Sequence, residues 1–91
     1  MTKAAWDLIV AAPARRTVDR LPPKIALAAL EFVLGPLLEN PHRVGKPLRG
    51  DLVGLRSARV GAYRVVYEID GGTRTVRVLY IDHRSDIYRP R

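Results

Sequence analysis

The sequence predicts an α+β domain: a twisted antiparallel sheet of element order β-α-α-β-β-β, with an N-terminal helical hairpin on one face and a short C-terminal helical turn. Three observations predict this class. Residues 24–34 carry apolar side chains at helical spacing. Residues 63–69 and 74–81 alternate with the period of a strand, and the Asp-Gly-Gly segment at 70–72 between them is typical of a hairpin turn. The length of 91 residues fits one domain over residues 1–91.

The beginning of the chain predicts a strand followed by a helix. In the apolar run at 6–10, the Trp, Leu and Val side chains share one face of a strand, and we expect this strand to join the sheet. A helix is expected over 13–20, because proline is tolerated in a first helical turn, where its missing N–H would be unpaired. The Pro-Pro pair at 22–23 ends this helix and begins the next.

The apolar side chains of the second predicted helix indicate which of its faces packs in the core. Its apolar stripe at helical spacing consists of Ala26, Ala29, Leu30, Val33 and Leu37. Pro36 conflicts with this pattern, because a proline removes one intrahelical hydrogen bond, and we expect a kink or a break near Leu34. The Asn-Pro pair at 40–41 ends the segment.

The second half of the chain predicts three strands after an irregular connection. Residues 42–53 contain two glycines, a proline and four charged side chains, and we expect them to be ordered but irregular. Strands are expected over 54–60, 63–69 and 74–81, with a tight Gly-Ala turn at 61–62. Three consecutive antiparallel strands form a meander that the helical hairpin covers on one side.

Alternation along the last two strands separates the two faces of the predicted sheet. In the first of them, one face holds Tyr63, Val65, Tyr67 and Ile69. In the next, one face holds Val76, Val78 and Tyr80, and the other holds Thr75, Arg77, Leu79 and Ile81. If the tyrosine face packs on the helices, Arg64 lies on the open face, where a guanidinium on a central strand can hold a phosphate. The alternative is an exposed arginine paired with Glu68.

The charge of the chain favours a polyanionic partner. The net charge is +7 and the isoelectric point about 10.6, and residues 42–91 contribute +6 of that charge, with ten arginines among their 11 basic side chains. Nucleic acid and an acidic protein segment both fit this asymmetry, and a solvated basic surface is the simpler alternative. The absence of cysteine excludes disulfides and thiol catalysis. We expect no membrane span and no signal peptide, and therefore a cytoplasmic protein.

Two further groups of side chains are candidates for chemistry. His83, Arg84 and Tyr88 follow the last strand and supply an imidazole, a guanidinium and a phenol, which suit proton transfer, anion binding and base stacking. Inert surface groups are the simpler interpretation. The other group is cationic and consists of Arg43, Lys46, Arg49, Arg56 and Arg59. In a regular strand, the last two of these arginines point to opposite faces. With two histidines and no cysteine, we expect no metal site.

Four segments, in this order along the chain, resemble the RelE/ParE superfamily of toxins from bacterial type II toxin–antitoxin modules. They read NPHRVGKPLRG at 40–50, LVGLRS at 52–57, RVGAYRVVY at 59–67 and HRSDIY at 83–88. The resemblance covers nearly the whole chain. The HRSDIY segment matches the C-terminal tail of the RelE branch better than that of the ParE branch.

The resemblance implies a toxin whose open sheet face is the active site and which cleaves mRNA on the ribosome, by attack of a ribose 2′-OH on the adjacent phosphate. By position, Arg64 matches the arginine that stabilises the transition state, and Tyr88 matches a tyrosine that stacks on or orients the substrate. Arg84 and His83 fall where members place a basic or acid/base group.

The chain departs from this pattern at the strand before the GAYR segment. The best-known members carry two lysines there, and the corresponding positions are Leu55 and Ser57. A replacement general base is therefore needed, and the candidates are His83, Arg56 and Arg59.

Three functions remain open on the resemblance. The chain is a ribosome-dependent mRNA endonuclease, a ParE-like inhibitor of DNA gyrase without nuclease activity, or an inactive binding module that acts only with its antitoxin. All three imply a cognate RelB-like antitoxin with an acidic, amphipathic segment. The first adds the 70S ribosome and mRNA as partners. Operator DNA would be bound only through the antitoxin, and no metal or organic cofactor is implied.

Overall fold

The computed structural model describes residues 6–83, which form a five-stranded sheet and three α-helices. Along the chain these are β1 (Asp7–Val10), α1 (Ala12–Arg20), α2 (Pro23–Phe32), a π-helical segment (Val33–Leu37), α3 (Pro41–Val44), β2 (Lys46–Pro47), a 3-10 turn (Gly50–Leu52), β3 (Arg56–Val60), β4 (Tyr63–Asp70) and β5 (Thr75–His83). The predicted α+β class and the N-terminal helical hairpin are confirmed. The predicted C-terminal helical turn lies outside the described residues.

The sheet has the strand order β1-β5-β4-β3-β2. The three predicted strands form the expected antiparallel meander, and β1 joins it at the β5 edge in parallel orientation, so the sheet is mixed and not wholly antiparallel. The segment predicted to be irregular supplies a fifth strand, β2, in which Lys46 pairs with Ser57 and Pro47 with Arg56. Proline is tolerated there because β2 is an edge strand.

The helix does not break at Pro36. The turn widens into the π-helical segment Val33–Leu37, and the helical path continues to Glu39. A π-turn changes which backbone groups pair, so the chain accommodates a residue without an N–H. The Asn40 N–H then donates to the Pro36 carbonyl oxygen at 3.2 Å. Val33 and Leu37 remain buried against the sheet on either side of the proline.

The core lies between the helical layer and one face of the sheet. It contains Ala14, Val33, Leu37, Leu38, Ala58, Val65, Tyr67, Val76, Val78 and Ile81. The prediction that Leu30 belongs to the core stripe of the helix is wrong, because 42% of its surface is exposed. With Leu27 and Leu34, which are 58% and 62% exposed, it forms an exposed leucine stripe on the outer side of the helix.

A one-residue bulge in β5 changes which of its side chains enter the core. Val66 lies opposite Tyr80 and Tyr67 lies opposite Val78, so that Leu79 has no register partner on β4. Strict alternation therefore ends after Val78. The prediction that Tyr80 shares the face of Val78 is wrong: Ile81 is buried at 2% exposure and Tyr80 is 44% exposed.

The predicted hairpin turn after β4 is confirmed, and Asp70 closes it. The backbone N–H groups of Gly72 and Thr73 donate to Asp70 Oδ1 at 3.0 and 3.2 Å. These hydrogen bonds, that of the Thr73 backbone foremost, lower the pKa of the Asp70 carboxyl. Within the described part of the chain, no helix has the length and apolar character needed to cross a bilayer.

Candidate active site on the open face of the sheet

The sheet face opposite the core, called the open face below, carries cations from three strands. Arg59 on β3 lies opposite Arg64 on β4, which lies opposite Asp82 on β5, and these three form one row across the sheet. The neighbouring row consists of Lys46, Ser57, Val66 and Tyr80. Side chains directly opposite in such rows lie about 5 Å apart at Cβ. The predicted position of Arg64 on the open face is confirmed.

A cavity of about 570 Å³, called the Lys46 cavity below, opens on this face beside the two rows. It lies between the 44–48 segment and the strand residues Ser57, Ala58, Arg59 and Arg64. Three of its lining side chains are cationic, namely Lys46, Arg59 and Arg64, and none of the lining residues that the structure describes is acidic. Such a concentration of positive charge in a concave site suits an anion, and arginine suits a phosphate in particular.

Arg56 lies on the core face of the sheet, and its hydrogen bonds fix the backbone of residues 42–45 at the wall of the cavity. It pairs in register with Tyr67, and its guanidinium Nη2 donates to the carbonyl oxygens of His42 at 2.7 Å and Gly45 at 2.8 Å. The Tyr67 hydroxyl donates to the Pro41 carbonyl oxygen at 2.7 Å. Burial raises the pKa of Tyr67, with the nearby Arg56 opposing that shift. The opposite orientation of Arg56 and Arg59 is confirmed, and it corrects the grouping of Arg56 with the RNA-contacting cations.

His83 is also separated from Arg64. It lies opposite Tyr63 in register, on the core side of β5, and its ring meets the Tyr63 ring edge-on with the centroids 5.3 Å apart. His83, one of the candidate general bases, therefore does not share the sheet face of Arg64. Arg84 and Tyr88 lie outside the described residues, and their place in the site stays a prediction.

The remaining predicted cations lie outside the cavity. Arg43 on α3 and Arg49 before the 3-10 turn are both exposed, and neither lines it. Glu68, the alternative partner proposed for Arg64, accepts a hydrogen bond from Arg77 on β5 at 2.5 Å. Among residues 6–83, no group of three His, Asp or Glu side chains could ligate a metal.

Sequence reasoning missed the contribution of β5 to the open face. Tyr80 and Asp82 stand there because of the bulge at Leu79, and no pattern in the sequence marks that bulge. It also missed that β2 places Lys46 beside Ser57, because a two-residue strand has no periodicity to detect.

Comparison with known proteins gives consistent matches. Residues 8–88 match the family model described as the ParE toxin of the type II toxin–antitoxin system parDE. The chain is 57% identical to toxin RelE of Mycobacterium tuberculosis over 84 residues, which cover 92% of this chain and 87% of that protein. It is 54% identical to toxin RelG of the same organism over 76 residues, covering 84% and 87%. The crystal structure of the M. tuberculosis toxin–antitoxin complex RelBE2 contains a chain with a TM-score of 0.84 and 46% identity, covering 89% of this chain and all of that one.

Proposed function

Because this chain belongs to the RelE/ParE family of type II toxin–antitoxin toxins, we propose that it is a RelE-like endoribonuclease that cleaves mRNA on the ribosome and so inhibits translation. One observation carries the proposal: Lys46, Arg59 and Arg64 line one cavity on the open face. Cleavage of a phosphodiester creates extra negative charge on phosphorus-bound oxygens, and preformed cations stabilise that charge. The 70S ribosome and mRNA are the proposed partners, in the cytoplasm.

The reaction proposed for this site is an intramolecular displacement at phosphorus. The ribose 2′ oxygen forms a bond to the adjacent phosphorus while the bond to the leaving 5′ oxygen breaks, which gives a 2′,3′-cyclic phosphate and a 5′-hydroxyl. Arg64 and Arg59 are adjacent on β4 and β3, and we assign to them hydrogen bonds to the non-bridging oxygens. The 2′ proton must pass to a base, and the 5′ oxygen must receive a proton.

Lys46 is the best placed of the described residues to replace the lysines that the chain lacks. It lies directly opposite Ser57, one of the two positions where RelE-like toxins carry lysine, and it lines the cavity with Arg64. Of the three replacements suggested by the sequence, His83 and Arg56 lie on the other face. A guanidinium group donates hydrogen bonds and has no acceptor, so Arg59 is suited to stabilise charge and not to act as the base. We assign proton acceptance to Lys46, and to Arg84 and Tyr88 the parts that the family resemblance implies.

Replacing Lys46 by alanine should lower the rate of ribosome-dependent cleavage about 100-fold, since general base catalysis contributes on that scale. Single-turnover cleavage is the measurement. Lys46→Arg keeps the charge but replaces the amine that is proposed to accept the proton, so it should remain slow. Lys24→Ala, at an exposed lysine at the start of α2, is the matched control. Full activity of Lys46→Arg would show that the residue only binds the phosphate.

The proposed function is tested by mapping the 5′ ends made from a defined mRNA, with and without programmed ribosomes. Cuts at the A-site codon that need the ribosome support the proposal. Uncut mRNA in both conditions, from folded toxin freed of its antitoxin, would contradict it. A gyrase assay on the same preparation then decides between the remaining candidates, because DNA breaks that depend on gyrase would indicate a ParE-like toxin.

We further propose that a RelB-like antitoxin covers both the Lys46 cavity and the exposed leucine stripe. The RelBE2 structure similar to this chain is a toxin–antitoxin complex. An acidic segment of the partner would meet Lys46, Arg59 and Arg64, and an apolar helix face would meet Leu27, Leu30 and Leu34. Operator DNA would be bound only through the antitoxin.

Salt should therefore slow association of toxin and antitoxin. Raising the NaCl concentration from about 50 to about 500 mM shortens the screening length several-fold and should lower the association rate constant at least about tenfold. Stopped-flow mixing measures it. Arg59→Glu should lower the rate constant and flatten its salt dependence, while Arg15→Glu, the same charge reversal at an exposed position of α1 outside the cavity, should change both much less. A rate constant independent of salt would contradict the electrostatic part of the interface.

A further inference from the structure

A second cavity, of about 230 Å³, lies between α1 and the second half of β5. Its lining residues are Pro13, Arg16, Thr17, Arg20, Tyr80 and Asp82. Tyr80 and Asp82 belong to the two rows of the open face, so this cavity flanks Arg64 on the side away from the Lys46 cavity. The two cavities therefore stand on either side of the proposed reaction centre.

The ring of Tyr80 is exposed on the open face and lies close enough to Arg64 for a nucleotide base to stack on it. Its side chain is 44% exposed although it is aromatic. In register it is the diagonal neighbour of Arg64, since Arg64 lies opposite Asp82, two residues further along β5. Diagonal neighbours on one sheet face are about 7–8 Å apart. A base stacked on Tyr80 would thus belong to a nucleotide directly next to the phosphate at Arg64.

Arg16 and Arg20 supply the charge that such a nucleotide needs. They lie one turn apart on α1, both are exposed, and among residues 6–83 neither has an ion pair with a carboxylate. Two guanidinium groups against the single carboxylate of Asp82 leave the cavity cationic. Arginine side chains bind phosphates through a planar fork, and aromatic rings stack on bases of any identity.

We propose that this cavity is a nucleotide subsite, in which Tyr80 stacks on the base next to the scissile phosphate and Arg16 and Arg20 bind that nucleotide's backbone phosphate. The inference rests on the proposed function, because it takes the phosphate at Arg64 to be the one that is cleaved. The ligand is a single-stranded stretch of RNA that crosses the open face from the Lys46 cavity, over Arg64, to α1.

The test uses ribosomes programmed with an mRNA that cannot be cut, because the attacking nucleotide carries 2′-deoxyribose. In two separate mRNAs, 2-aminopurine replaces the base on one side or the other of the scissile phosphate. Adding toxin should quench the fluorescence at one of these positions. Tyr80→Phe should keep the quenching, and Tyr80→Leu should lose it and weaken binding about tenfold, the usual scale of a lost base stack.

The phosphate contacts are tested with the double variant Arg16→Ala/Arg20→Ala against Arg15→Ala/Lys24→Ala. The second pair removes the same charge from exposed positions outside the cavity. The first should weaken toxin binding at least about tenfold more than the second, because local contacts add to the general charge effect. Equal losses would overturn the phosphate contacts, and quenching retained in Tyr80→Leu would overturn the stacking.

The outcomes also separate this inference from the proposed function. If wild-type toxin cuts the normal mRNA but quenches neither position, the subsite is refuted and the endonuclease stands. If it does not cut but quenches in a way that depends on Tyr80, the site binds RNA and the endonuclease is refuted.

Discussion

Arg64→Ala should lower the rate of ribosome-dependent mRNA cleavage by about 100- to 1,000-fold, the loss typical when one donor to a developing oxyanion is removed. Arg64 stands on β4, the central strand, with Arg59 and Asp82 as its neighbours across the open face. A side chain mounted in this way is held in place before substrate binds, so its charge acts without reorganisation. Single-turnover cleavage on programmed ribosomes measures the loss.

Two control variants test whether the loss in Arg64→Ala comes from its guanidinium group at this position. Arg64→Lys keeps the positive charge but lacks the planar fork, so it should recover only part of the rate. Arg77→Ala removes a guanidinium from the same face of the sheet, outside both cavities, and should cleave like the wild type. An equal loss in the Arg77 and Arg64 variants, or full activity of Arg64→Ala in a folded protein, would refute the assignment.

Gly45→Ala should destabilise the fold by about 2–5 kcal/mol, the combined scale of overpacking and of a buried hydrogen bond lost. A Cβ at this position would overlap the Tyr67 hydroxyl and would lie 2.8 Å from the Ser57 carbonyl oxygen. The φ of Gly45 is −121°, which any residue adopts, so the cost is steric. For a domain of this size the melting temperature should fall by about 10–25 °C, measured by circular dichroism.

Tyr67→Phe shows whether the hydroxyl is the obstacle. Alone it should cost about 1–3 kcal/mol, because the Pro41 carbonyl loses its donor. Combined with Gly45→Ala it removes the nearest obstructing atom, so the double variant should lose less stability than the two single losses together. Gly35→Ala, where a Cβ meets nothing within 4 Å, should be neutral or slightly stabilising. Strict additivity would place the clash at the Ser57 backbone.

The elements that sequence reasoning predicted well are those with long, unbroken periodicity. Along β4, Val65 and Tyr67 enter the core and Arg64 takes the other face, as alternation requires. Along β5 the same reasoning failed after Val78, because one extra residue in a strand reverses every later side chain. The parallel pairing of β1 with β5 joins segments that are far apart in the chain, and the local residue pattern of β1 carries no information about this partner.

The candidate site was predictable to a similar extent. Arg64 and Arg59 follow from their places in strands and from the GAYR segment. The position of Lys46 depends on pairing across a two-residue strand, and that of Arg56 on backbone carbonyls 11 and 14 residues earlier in the chain. His83 illustrates the converse: it was a candidate for the site of Arg64, but the strand register places it opposite Tyr63, on the other face of the sheet.

The hydrogen bonds of Arg56 and Tyr67 to residues 41–45 bear on how soon the toxin can act. The carbonyls of Pro41, His42 and Gly45 already have donors in the folded chain, so the wall of the Lys46 cavity is ordered without RNA. Ordering one backbone residue costs about 1–2 kcal/mol of conformational entropy, and here that cost is incurred during folding and not at the ribosome. On the proposed function, the toxin is then ready to cut as soon as the antitoxin has dissociated, because this wall of the site does not have to fold first.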